Sequence, residues 1–141
     1  MRMGNLMHKK VVALRPGDKV AKAAKLMREK GVGCILVLDE EKRPIGILTD
    51  RDIVVSVIAK DLDPDTTRLD QVMTQRVITA KEDEILLRAA RFMAEARVRR
   101  LPIVDEEGRV VGIVSVDDIL VVLITEISNV CSAIVGPSKL L

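Results

Sequence analysis

The chain states one sequence unit twice, and this constrains its fold more than any other feature. Shifted by 66 positions, Met7 falls on Met73, Val11 on Val77, Ala23-Ala24 on Ala89-Ala90 and Met27 on Met93. The register continues without a gap. Asp39-Glu40-Glu41 meets Asp105-Glu106-Glu107, Gly46-Ile47 meets Gly112-Ile113, and Asp52-Ile53 meets Asp118-Ile119. A duplication of this unit size predicts one folding unit built twice, each copy covering an apolar face that the other would leave wet. At 141 residues the chain has the length of about one domain. A single half lies near the lower limit for a self-sufficient core, so the halves are expected to fold as a pair.

Each copy reads as β-α-β-β-α. Val20, Ala23, Ala24 and Met27 form the i, i+3, i+4, i+7 stripe of a buried helix face, with Asp18 expected as its N-cap and Gly31 as its stop. Leu86, Ala89, Ala90 and Met93 repeat the stripe. Cys34 to Leu38 is a short continuous apolar run, the signature of a strand covered on both faces. A turn over Asp39 to Pro44 leads to a second strand, Ile45 to Thr49. The second copy offers Leu101 to Val104, a turn over Asp105 to Arg109, and Val110 to Ser115. Short first strands are expected at Val11 to Leu14 and Val77 to Ala80, and last helices at Ile53 to Ala59 and Ile119 to about Ser128. The predicted class is mixed α/β (α+β), with two small sheets related by a pseudo-two-fold axis. The first motif occupies residues 1–62, a linker 63–68, the second motif 69–128 and a tail 129–141.

Composition removes several function classes. The net charge of +2 provides no general attraction to nucleic acid. Phe92 is the sole aromatic, so a planar ligand would have to lie between aliphatic side chains. The amides are only Asn5, Asn129, Gln71 and Gln75; with abundant charge, this resembles a thermophile composition. Cys34 and Cys131 lack metal-ligand spacing; Cys34 reads as a core residue, and Cys131 as an inert thiol or a link to a partner chain. Residues 1–10 contain no apolar core of signal-peptide length. Ile119 to Val135 is the most apolar stretch, but Glu126, Ser128, Asn129 and Ser132 interrupt it, so a packed or partner-facing helix is expected and not a bilayer span. These features predict a cytoplasmic protein. No nucleophile, base and orienting group are arranged for catalysis, and His8, the only histidine, sits in a basic N-terminal stretch.

The chemistry concentrates in Thr49-Asp50-Arg51-Asp52 and Ser115-Val116-Asp117-Asp118, each where a strand turns into a helix. Free N–H groups and the positive end of the helix dipole favour a phosphate there. The Thr49 or Ser115 hydroxyl can donate to it, and the Asp52 or Asp118 carboxylate suits the vicinal hydroxyls of a ribose. The same pattern is also a capping box. Taken once, capping is the simpler account; taken twice, after Gly46 and Gly112 at the same distance upstream, a ligand site is favoured, because glycine lets a ligand or another backbone approach.

The duplicated pattern resembles a pair of cystathionine-β-synthase (CBS) domains over essentially the whole chain. The resemblance rests on Gly46-Ile47-Leu48-Thr49-Asp50-Arg51-Asp52, Gly112-Ile113-Val114-Ser115-Val116-Asp117-Asp118, Leu101-Pro102-Ile103-Val104-Asp105, Val72-Met73-Thr74 and Leu6-Met7. It implies a non-catalytic regulatory module that binds AMP, ADP, ATP or S-adenosylmethionine in clefts between the halves, with AMP favoured. It implies that Asp52 and Asp118 hold ribose hydroxyls and that Thr49 and Ser115 lie near phosphate. It further implies adenine contacts near Val12, Ala13, Ile78, Thr79 and Pro102, a homodimer, and a regulated protein that the residues do not identify. The alternative is an interaction scaffold with vestigial clefts and the apolar tail as working surface. The two sites differ: Arg51 has Asp117 as its counterpart, and Arg97, Arg99 and Arg100 stand where the first copy has Gly31, Gly33 and Cys34. These arginines either form a solvated face or turn into the groove and neutralise phosphate. Arg51 marks the first-copy site as the stronger candidate.

Overall fold

The computed structural model describes residues 1–137, 139 and 140, so two positions of the expected tail, 138 and 141, lie outside it. Two three-stranded sheets repeat one topology. In the first, β1 (Ala13–Leu14) runs parallel to β2 (Cys34–Leu38), which pairs antiparallel with β3 (Pro44–Thr49). In the second, β4 (Ala80–Lys81), β5 (Arg100–Val104) and β6 (Val110–Ser115) are arranged in the same way. The apolar runs gave the long strands nearly to the residue. The first strands are shorter than expected, and of Val77 to Ala80 only Ala80 is paired. Two backbone partners are too few for alternation to show.

The helices α2 (Val20–Lys30) and α5 (Leu86–Ala96) bury the predicted stripes, with Val20, Ala23 and Met27 in one core and Ala89 and Met93 in the other. Asp18 is not the N-cap of α2. Lys19 holds that position without a side-chain cap, and the Asp18 carboxylate accepts from the Arg15 backbone N–H at 2.8 Å instead. The first N–H groups of α2 donate to the chain between the copies: Val20 N to Thr67 O at 3.0 Å and Ala21 N to Pro64 O at 2.9 Å. Residues that composition marks as linker therefore satisfy the donors a helix start leaves open. Helix α3 (Asp50–Ile53) continues as one π-helical turn, Val54–Ile58, and α6 extends over Val116–Val135, well past its expected end.

Two short helices knit the copies together. Helix α1 (Met3–Leu6) precedes the first sheet in sequence but packs on the second: Met3, fully buried, joins Ala80, Ala89, Met93, Leu101, Ile103, Val114 and Ile119. Helix α4 (Leu69–Val72) in turn places Leu69 in the first core with Val20, Ala23, Ile35, Val37, Leu48 and Val57. The backbone follows the same exchange. His8 and Ile113 trade both hydrogen bonds, at 2.9 and 3.0 Å, and Thr74 and Ile47 do so at 2.9 Å in each direction. Neither core is a consecutive stretch of chain.

This exchange accounts for the repeated glycines. A Cβ on Gly46 would lie 2.8 Å from Met73 Cγ; on Gly112 it would lie 2.8 Å from Met7 Cγ and 3.0 Å from the His8 carbonyl oxygen. The close approach is therefore made by the methionine that each copy lends the other, and at Gly112 also by backbone. Replacing Gly112 by alanine forces that methionine and the His8 backbone outward. We expect a loss of about 1–3 kcal/mol in denaturant unfolding, as for overpacked cores; an unchanged midpoint would show that the notch is loose.

Candidate functional site

The two strand-to-helix turns have the same local geometry. Thr49 Oγ1 accepts the Asp52 N–H at 3.1 Å while Asp52 Oδ2 accepts the Thr49 N–H at 2.9 Å. Ser115 and Asp118 repeat this with the same distances. Both tetrapeptides are thus capping boxes. The box fixes the side chains without exhausting them. Each hydroxyl uses a lone pair and keeps its proton for donation, and each carboxylate commits only Oδ2.

The remaining oxygens differ. No hydrogen bond within the described residues engages Asp52 Oδ1, whereas Asp118 Oδ1 accepts from His8 Nε2 at 2.8 Å. Burial pushes the Asp118 carboxyl up, but the hydrogen bonds it accepts from the His8 side chain and from the Ser115 backbone help to outweigh it and hold the group below its ordinary value.

A cleft of about 640 Å³ opens between the copies on the first-copy side. One wall is Thr49, Asp50, Arg51 and Ile47, with Gly33 and Cys34 beside them; the other is Arg97, Val98, Arg99 and Arg100 from the second copy. Of the residues expected at phosphate, Thr49, Arg51, Arg99 and Arg100 therefore converge, and Ser115 does not line this cleft. The lining holds one carboxylate, Asp50, and four arginines, Arg51, Arg97, Arg99 and Arg100, so it carries net positive charge and suits an anion. Arg99 lies 3.7 Å from Asp117, the residue in the place of Arg51, but both are largely exposed and the pair is weak. Cys34, half-buried in the wall and not sealed in the core, has its thiol pushed up, chiefly by burial.

The residues expected at adenine lie apart from this lining. Val12 and Ile78 are half-buried and pack on the two cores. The Val12 carbonyl accepts the Leu36 N–H at 3.1 Å, and Ala13 pairs with Leu36 on β2. Thr79, half-buried, precedes β4. Pro102 is fully buried on β5 and offers no open face to a ring. Sequence reasoning missed Asp50, Ile47 and Val98 as lining residues, and the contact of His8 with Asp118. Strand position alone marks Ile47, and no sequence signal joins residues 8 and 118.

Arg97 stands out in the backbone. It ends α5 in the left-handed conformation, φ 55°, where α2 ends on Gly31 at φ 64°. Glycine adopts this conformation freely and arginine does not. The strained arginine lies on the cleft wall, a combination that recurs where a side chain serves a ligand. Among the described residues, no three His, Cys, Asp or Glu side chains converge as a metal set.

Residues 3–58 and 69–125 match the family model of the CBS domain, and the chain belongs to that family, carrying the domain as a pair. The CBS domain protein PAE2072 from Pyrobaculum aerophilum, solved in complex with AMP, is 25% identical with a TM-score of 0.77, over 89% of this chain and 99% of that one. The cytosolic domain of the Mg2+ channel MgtE, solved in complex with ATP, is 37% identical with a TM-score of 0.75, over 86% of this chain and 48% of that one. An uncharacterised protein of Methanopyrus kandleri is 38% identical over 118 residues, which cover 84% of this chain. The match spans only 60% of that relative.

Replacing Arg97 with glycine relieves the left-handed strain. The expected outcome is a gain of about 1 kcal/mol in unfolding free energy, read from the denaturant midpoint. A loss of stability would mean that the arginine side chain contributes more by its contacts than its backbone costs.

Proposed function

We propose that the chain is a non-catalytic regulatory module that binds an adenosine ligand, AMP before ADP, ATP or S-adenosylmethionine, and transmits its occupancy to a partner. The observation that carries this reading is the convergence of Arg51, Arg97, Arg99 and Arg100 with the Thr49 hydroxyl on one cleft. Its volume lies in the range of small-ligand sites. A phosphate there meets four guanidinium groups, and Asp52, beside the cleft, keeps an oxygen for sugar hydroxyls. The AMP and ATP complexes of the similar CBS proteins support the ligand class. Because the cleft has one wall from each copy, a ligand spanning it favours one arrangement of the halves, which is the requirement for a population shift.

Calorimetry and thermal unfolding with the four ligands test the reading. Free ligand at 100 times its Kd stabilises by about 2.7 kcal/mol. Asp52→Asn, which loses a charged acceptor, should weaken AMP about tenfold or more. Absence of any shift with all four ligands would overturn the proposal and favour the scaffold.

Helix α6 supports a second copy of the chain as partner. It is long and apolar enough to cross a membrane, with mean hydropathy 1.9; Ile119 at its start enters the second core, but only 6% of its most apolar segment is buried, which favours the partner-facing side of the expectation. Its polar residues nevertheless keep to one side. Leu120, Leu123, Ile127, Val130 and Ile134, all exposed, follow the alternating three- and four-residue spacing of a coiled-coil seam, while Thr125, Glu126, Ser128, Asn129 and Ser132 fall outside it. A bilayer does not require that pattern; a second helix does. We expect a dimer by analytical ultracentrifugation and a monomer for Leu123→Glu, whose side chain is already exposed. A monomeric wild type would remove this part of the proposal.

A further inference from the structure

The structure assigns His8 the role of a gate on the second site: its imidazole holds the Asp118 oxygen that a ligand hydroxyl would need, so the two sites differ in affinity and the Asp52 side fills first. This rests on the nucleotide reading above and adds to it a residue that sets the order of occupancy.

The two carboxylates are positioned by identical boxes, so their difference has a local source. Asp118 Oδ2 is committed to the Ser115 N–H at 2.9 Å, as Asp52 Oδ2 is to Thr49. The remaining oxygen of Asp118 is taken by His8 Nε2 at 2.8 Å. An ionised carboxylate only accepts, so this nitrogen carries the proton and donates, as a sugar hydroxyl would. The equivalent of His8 in the other half is Thr74, which pairs through its backbone with Ile47 but makes no side-chain bond to Asp52.

The imidazole is aimed by the fold. Its backbone is bonded in both directions to Ile113, and the preceding Met7 lies over Gly112. The segment is pinned while the ring itself is 65% exposed on its side chain, against 21% for Asp118. Rotation of the ring into solvent therefore releases the carboxylate without unpairing the strand, which makes the contact displaceable.

The surrounding charges set its response to pH. Strand β6 presents Ile113 and Ser115, neither ionisable; α6 presents Asp118 and, one residue earlier, Asp117, which faces Arg99 at 3.7 Å. On its own segment the neighbours are Lys9 and Lys10. A protonated imidazole forms a charge-assisted bond to the carboxylate, stronger than the neutral one. The gate therefore holds more firmly in that charged form, and ligand affinity at the Asp118 site is higher where the imidazole is neutral. The Asp52 site lacks this dependence.

Calorimetric titration of AMP into the full chain, His8→Ala and His8→Gln, at pH about 6 and about 8, tests the gate. Wild type should show a stronger and a weaker site. His8→Ala should tighten the weaker site about three- to tenfold, leave the stronger one unchanged and abolish the pH dependence. His8→Gln, which keeps an uncharged donor, should retain part of the competition without the pH dependence. If His8→Ala leaves the weaker site unchanged, or weakens it, the gate is wrong while the nucleotide reading stands. If neither wild type nor either variant binds AMP, both fail together.

Discussion

The rest of the molecule depends on an exchange of segments. Each copy gives its opening helix to the other, and the methionine that follows fits against a glycine on the recipient strand, Met73 on Gly46 and Met7 on Gly112. Residues Met3 and Leu69, fully buried in the borrowed positions, complete cores that neither half could close with its own chain. The hydrophobic effect acts here between sequence-distant pieces, so the two copies fold as one unit. The same exchange fixes the relative placement of the two strand-to-helix turns, and with it the cleft that uses one wall from each half.

Symmetry of scaffold does not produce symmetry of chemistry. Both turns present a hydroxyl and a carboxylate held by the same pair of hydrogen bonds. Around them the side chains have diverged. Arginines of the second copy face the first copy's turn, while at their equivalent positions the first copy has Gly31, Gly33 and Cys34. A histidine meets one carboxylate and a threonine stands near the position of the other. Capping and ligand binding, alternatives at the level of sequence, are compatible in space because the box leaves one oxygen and one proton of each pair uncommitted.

The repeat, the long strands and the buried helix stripes were legible because each rests on several residues with one period. Cys34–Leu38 and Val110–Ser115 match their apolar runs residue for residue. The two-residue strands β1 and β4 were blurred, since a parallel bridge of that length leaves no pattern. Asp18 misled because a side chain with capping chemistry stood one residue too early and bonded to Arg15, while backbone carbonyls of Pro64 and Thr67 served the helix. The glycines were identified as sites of close approach, but their partner was a methionine more than twenty residues away. Arg99 and Arg100 were legible as a departure from the repeat; His8 was not, because its contact spans 110 positions. The apolar run beyond Ile119 was visible, but its length as a single helix was obscured by Ser128 and Asn129, polar residues that a solvent-facing side tolerates.

The pairing of His8 with Ile113 also bears on synthesis. A ribosome delivers this segment long before its partner strand, so Met3 and Met7 must wait in the open until the strands of the second sheet have emerged. The first core can close once Leu69 has appeared, but the second cannot be sealed until β6 is out. Contacts of such sequence separation slow folding, and order of emergence therefore makes the segment around Met3 and Met7 settle only after the later-made strands it packs on.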